Sequence, residues 1–141
     1  MQKEINQTWH FNQSLHEVWE YLTKPELLEQ WFMKADFEPK VGHKFQISGK
    51  EGCVTYCEVL EAEPFTKLSY SWQYTSVNAH NIFDSKVMWT LIPNENGTEL
   101  QLVHNGFVAM EDYIKHNNGW TILGSQLGEL LNTIKNDNSN T

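Results

Sequence analysis

From residue 43 to residue 106 the apolar side chains recur at every second position, interrupted only by turns. This constrains the fold more than any other feature of the chain. The alternation predicts strands at 43–49, 53–62, 66–75, 84–93 and 98–106. The breaks at Gly49–Gly52, at Glu63 and Pro64, and at "PNENG" (93–97) carry the Gly and Pro residues a reversing backbone needs. A parallel pair requires a crossover of a dozen or more residues, so connections this short make sequential strands antiparallel neighbours. The segment "SVNAHNIF" (76–83) lacks a strong period and is expected to be a mobile entrance between strands.

The flanks add one more strand and three helices. "KEINQTWHF" alternates with Ile5, Trp9 and Phe11 on one face and predicts a first strand. The period then changes. Ser14 and Glu17 stand at capping-box spacing, and Leu15, Val18, Trp19 and Leu22 follow at helical intervals. Thr23 and Glu26 repeat that spacing ahead of Leu27, Leu28, Trp31 and Phe32, with Pro25 tolerated in a first turn, so two short helices are expected to join at Thr23. "GWTILGSQLGELLNTIK" sets Trp120, Leu123, Leu127, Leu130, Leu131 and Ile134 at helical spacing over about four turns. The polar "NDNSNT" from Asn136 is expected to be disordered. The result is a single α+β domain over residues 1–141, with an antiparallel sheet covered on one face.

Charge narrows the partners. The chain carries 18 acids against 10 bases, a formal charge of −8, and contains no arginine. Phosphate recognition favours clustered positive charge and the guanidinium fork, so neither nucleic acid nor an anionic membrane surface is an expected partner. No apolar run has the length of a signal peptide or a membrane span, and a cytoplasmic location is expected. Cys53 and Cys57 lie four apart on one strand, about 13 Å from each other and beyond disulfide reach, so free thiols are expected. No metal-ligand spacing, nucleophile elbow, phosphate loop or dinucleotide fingerprint occurs, and neither metal nor cofactor is expected.

Four segments, "SLHEVWEYLTKPELLEQWF", "EVLEAEPFTKLSYSW", "VMWTLIPNENGTELQLVHNGF" and "NNGWTILGSQLGELL", resemble in order the blocks of the activator of heat-shock protein 90 ATPase homologue-like family of the START-like, or Bet v 1-like, superfamily. The resemblance implies a helix-grip fold: a curved antiparallel sheet of about six strands around a long C-terminal helix, with an apolar cavity between them. It also implies that the two short helices seal the sheet's open side, with Trp19 and Trp31 as plugs.

Strand parity directs Cys53, Thr55, Cys57 and Val59, then Leu68, Tyr70, Trp72 and Tyr74, then Val87, Trp89 and Leu91, and finally Leu100, Leu102 and His104 inward. The candidate cavity wall is Trp9, Thr55, Cys57, Tyr70, Trp72, Tyr74, Trp89, Leu102, His104, Trp120, Leu123 and Leu127. Broad apolar area with sparse polar tips is the usual composition of a small-molecule site, although such residues also build plain cores. His104 is the sharpest catalytic candidate, with Tyr70 beside it, but no inward acid is available to orient the imidazole. The simpler expectation is a neutral core histidine held by one backbone carbonyl. His10, His16, His43, His80 and His116 are assigned to outward positions or loops. Glu58, Glu61 and Glu63 read as a solvated sheet face rather than paired catalytic carboxylates, and Gly106 as a place for the last strand to bend.

Three functions follow as expectations. The first is non-catalytic binding of a small hydrophobic or aromatic molecule (lipid, flavonoid or polyketide-like), by a monomer or weak homodimer. The second is an enzyme resembling polyketide cyclases and aromatases, with His104, Tyr70 or Tyr74 moving protons. The third, carried by the family name alone, is a chaperone ATPase-activating partner, for whose additional N-terminal domain the chain has no room.

Overall fold

The computed structural model describes residues 3–48, 54–75 and 82–139. Their order is β1 (Lys3–Phe11), α1 (Leu15–Thr23), α2 (Pro25–Trp31), β2 (Lys44–Ser48), β3 (Val54–Glu63), β4 (Lys67–Thr75), β5 (Ile82–Asn94), β6 (Gly97–Phe107) and α3 (Met110–Ser139). The six strands form one curved antiparallel sheet in the order β1-β6-β5-β4-β3-β2. Every pair except β1 with β6 joins sequence neighbours, as short connections require.

The parity assignments emerge as one buried face. Val59, Leu68, Val87, Leu100, Leu102 and His104 are all essentially sealed from solvent. The opposite residues Tyr56 and Leu60 are exposed. Cys57 is a buried free thiol, whereas Cys53 and the expected entrance 76–81 lie outside the described residues. At the end of β6, Gly106 has φ +107°, and an added Cβ would press on the Ser85 backbone at 3.0 Å. The β1–β6 register shifts at this point, Lys3 standing opposite Phe107 and Glu4 opposite Asn105, so Gly106 is the extra residue of a β-bulge on β6 and the strand does bend there.

α1 begins with the full capping box: Glu17 N–H donates to Ser14 Oγ and Ser14 N–H to the Glu17 carboxylate. The second cap is different from expectation. Thr23 closes α1 rather than capping α2, because its hydroxyl donates back to Trp19 O at 2.8 Å. Lys24, paired with Glu20, is the extended junction residue, and Pro25 supplies the preset φ of the first helical position. The helix pair turns its large side chains inward: Trp19, Leu22, Leu28 and Trp31 are buried, and Trp31 Nε1–H donates to Tyr21 O at 2.9 Å.

α3 starts at Met110, nine residues before the apolar stripe that begins at Gly119 and Trp120. The added turns are polar, with Glu111 and Asp112 in the first turn where the helix dipole favours acids. At the other end the backbone of 136–139 continues as helix into the tail expected to be disordered, since each added residue extends an established hydrogen-bond ladder. Residues 140 and 141 lie outside the described residues.

The helix lies over the β1 and β6 side of the sheet. Gln7 on β1 donates to Asn117 and Thr121, and buried Gln13 donates to Leu131 O at 2.9 Å. At Gly124 a Cβ would overlap the indole of Trp9, so the glycine is what lets β1 and α3 close.

Candidate functional site

The space between α3 and the sheet is filled largely by aromatic rings that the alternation of β4 and β5 and the stripe of α3 bring to one place. Trp72 on β4, Trp89 on β5 and Trp120 on α3 meet with centroids 5.4 Å (Trp72–Trp120) and 5.5 Å (Trp89–Trp120) apart. Phe32, the residue after α2, stacks on Trp72 at 6.3 Å with 9° between planes and meets Trp120 edge-on at 5.3 Å. Beneath them Phe37 and Phe45 pack edge-on at 5.0 Å.

Each indole N–H at this centre has a partner. Trp89 Nε1–H donates to the Tyr70 hydroxyl at 2.9 Å, and Trp72 Nε1–H to His116 Nε2 at 3.3 Å. Trp120 Nε1–H donates to His104 Nδ1 at 2.9 Å. That last bond determines the His104 tautomer. Since Nδ1 accepts, the ring proton sits on Nε2 and is donated to Ser85 Oγ at 2.8 Å, while the Ser85 hydroxyl donates to Trp72 O at 2.7 Å. His104 is thus a neutral core imidazole, but a serine and an indole hold it, not the single backbone carbonyl expected. Burial, with a smaller contribution from nearby His116, pushes its pKa down to about 2.

His116 corrects the reading that placed it in a loop. It lies on α3, turned between Trp72 and Tyr74, because the helix begins earlier than its apolar stripe. Its Nδ1–H donates to Asp112 O at 2.8 Å, which leaves Nε2 as the acceptor for Trp72, and burial lowers its pKa. Of the others, His10 and His16 are exposed, and His43 is half-buried against Phe37 and Phe45. His80 lies outside the described residues.

Beside this packed centre is a recess of about 160 Å3 lined by Trp72, Lys115, His116, Gly119, Trp120 and Leu123. Trp72, Trp120 and Leu123 are among the twelve candidates. Tyr70, Trp89, Leu102, His104, Leu127 and Cys57 sit in the closed interior instead. Tyr74 is buried beside the recess against His116, and among the described residues its hydroxyl is the one buried side-chain polar atom without a hydrogen-bond partner. Trp9 is half-buried against Trp89, and Thr55 is half-buried on β3 opposite Ile47. Lys115, His116 and Gly119 are the residues that sequence reasoning missed. Starting the helix nine residues earlier would have shown Lys115 and His116 on the same face as Gly119 and Leu123, at spacings of three and four; Gly119 already lay in the expected helix, but without a side chain it gives no sign of a wall.

The chemistry open to the titratable groups is limited. Burial raises the Tyr70 hydroxyl far above the phenol range and the Cys57 thiol to about 12, so neither ionises near neutrality. Among the described residues no group of His, Cys, Asp or Glu has the arrangement of a metal site, and no helix is long and apolar enough to cross a membrane.

A curved six-stranded antiparallel sheet gripping a long C-terminal helix, with two short helices after the first strand, defines the helix-grip class of START-like proteins. The family model described as "Activator of Hsp90 ATPase homolog 1-like protein" matches residues 12–132, and the chain belongs to that family. Among solved structures it is similar to protein MLL2253 from Mesorhizobium loti, with 34% identity over 93% of this chain and 98% of that one and a TM-score of 0.86. It is also similar to protein BH1534 from Bacillus halodurans, with 25% identity, 92% and 96% coverage and a TM-score of 0.77. DynU16, a protein of the dynemicin biosynthetic locus, is 22% identical over 92% of this chain and 47% of its own, with a TM-score of 0.80. No curated protein matches the sequence.

Proposed function

We propose that this chain binds a small hydrophobic or aromatic molecule between α3 and the sheet and performs no chemistry on it. The observation that carries the reading is Gly119. A glycine inside a helix costs up to about 1 kcal/mol relative to alanine. At Gly124 the packing of Trp9 explains that cost, but a Cβ on Gly119 would meet nothing within 4 Å. Gly128 is likewise uncrowded, its Cβ meeting only Phe11 at 3.9 Å, but Gly119 is the α3 glycine that lines the recess, so there the helix gives up stability where a side chain would enter the space between Trp72 and Leu123. An apolar space of roughly this size accepts a single aromatic ring. This favours a one-ring molecule, or one ring of a larger one, over a whole lipid.

Binding without turnover is supported by the state of the candidate catalysts. Proton transfer needs a group within reach of the ligand and free to exchange a proton. Both nitrogens of His104 are engaged in the closed interior, and the Tyr70 hydroxyl is buried with its pKa raised. The cyclase-like alternative draws on the dynemicin-locus neighbour, whose likeness is one of fold. The chaperone alternative would present the tryptophans of the helix pair to a partner, whereas Trp19 and Trp31 are turned inward.

Titration with one-ring probes (benzyl alcohol, phenylacetate) tests this reading through the fluorescence of Trp72 and Trp120. Saturable quenching is expected with millimolar to high-micromolar Kd, about 4 to 6 kcal/mol. Gly119→Leu should fold at least as well as the parent and lose the quenching. Equal quenching in that variant, or none in the parent, would overturn the proposal. Mass spectrometry showing conversion of a bound probe would instead favour the enzyme.

A further inference from the structure

We infer that the ligand is an aromatic acid, its ring in the recess and its carboxylate at the ammonium of Lys115. The inference rests on the ring-binding reading and adds the charge of the ligand. It comes from accounting for every polar atom on the recess wall. The Trp72 N–H is taken by His116 Nε2, and the Trp120 N–H by His104 Nδ1. The His116 Nδ1–H is taken by Asp112 O. Leu123 and Gly119 offer no polar side chain. Of the residues that line the recess, Lys115 alone keeps hydrogens to donate, being exposed and without an ion pair or hydrogen bond to any described residue; the Tyr74 hydroxyl, unpartnered behind His116, is a neutral donor beside the wall and does not set the charge of a ligand.

Position and sign both follow. Lys115 precedes Gly119 by one helical turn on the same face and is itself part of the recess lining, so its ammonium is available to a group at the rim. An ammonium has three donors and no acceptor, so it rewards an acceptor and most of all an anion. Glu111 and Asp112 on α3 lie outside the recess lining; the charge of buried Asp112 is felt at His116 and Tyr74 from behind the wall, and His116 carries no charge at neutral pH because burial, the largest effect on it, lowers its pKa. Among the wall residues, then, the only formal charge is positive, in a chain whose net charge is −8.

The test uses three probes of nearly equal shape, phenylacetate, phenylacetamide and phenethylamine, titrated by tryptophan fluorescence or by NMR shifts of the indole N–H signals at low salt. Phenylacetate is expected to bind at least about tenfold more tightly than the amide, and phenethylamine more weakly than both. Raising the salt concentration should shrink the advantage. Lys115→Gln, a substitution on an exposed helix position, should abolish the preference for the acid while leaving the amide affinity unchanged. If acid and amide bind equally to the parent, or if Lys115→Gln keeps the preference, the charge inference fails while ring binding stands. If none of the three binds, both fail together.

Discussion

Two glycines in α3, five residues apart, offer a comparison in which the same substitution should act with opposite sign. Gly119→Ala adds a methyl group to open space in a helix interior, so it should stabilise the protein by up to about 1 kcal/mol through propensity alone. Gly124→Ala gains the same propensity, but its Cβ would overlap the Trp9 indole. That ring cannot move freely, because it packs on Trp89 at 6.3 Å and Trp89 is itself tied to Tyr70. Overpacking of this kind costs about 1 to 3 kcal/mol. The net effect of Gly124→Ala should therefore range from neutral to about 2 kcal/mol destabilising, and the two variants should differ by about 1 to 3 kcal/mol. Urea denaturation followed by far-UV circular dichroism measures the difference, provided the m-values agree. Trp9→Ala should convert Gly124→Ala into a stabilising change, a coupling that a double-mutant cycle isolates. If Gly124→Ala proves as stable as Gly119→Ala in the parent, the steric account of the β1–α3 closure is wrong, and so is the contrast that makes Gly119 informative.

Other perturbations probe the rest of the design. Trp31→Ala should cost about 3 to 5 kcal/mol in equilibrium denaturation, since a sealed indole and its bond to Tyr21 O are both lost, while exposed Gln30→Ala should cost less than about 0.5. An unchanged midpoint for Trp31→Ala would mean that the aromatic stripe serves a partner. Below pH 6.5 the unfolded chain takes up a proton at His104 that the folded chain refuses down to about pH 2, so stability must fall as the pH falls through that window. His104 alone contributes a slope of about 1.4 kcal/mol per pH unit. His104→Gln should flatten the profile by that amount between pH 6 and 4, and a parent with no extra slope would refute the neutral tautomer. Ser14→Ala should lower stability by about 1 kcal/mol through the lost cap, measured in the same assay. Buried Cys57, with its thiol held up at about 12, should resist a disulfide reagent in the native protein and react at once in denaturant.

How much of this was legible beforehand depends on the range of the interaction concerned. Alternation reports which face of a strand is buried, a local property, and the inward sets on β4, β5 and β6 were readable for that reason. The Ser14 cap was equally local. The Thr23 cap failed because a hydroxyl can bond backward to Trp19 O as easily as forward, and sequence spacing does not distinguish the two. The first turns of α3 failed because polar residues carry no apolar period, and what holds them helical is their attachment to the body of the helix.

By itself the sequence determined the strand faces, the antiparallel order of neighbours, the first helical cap and the pool of aromatic residues that share an interior, because each depends on residues close together in the chain. Only the tertiary structure decided how that interior is divided. It closed most of the presumed cavity by packing Phe32, Trp72, Trp89 and Trp120 together. It engaged both nitrogens of His104 with Ser85 and Trp120, on two other elements. It left open space at Gly119 and none at Gly124, although both are glycines of one helix. Those outcomes depend on which side chains arrive from distant parts of the chain to occupy the same few ångströms, and no local pattern records that.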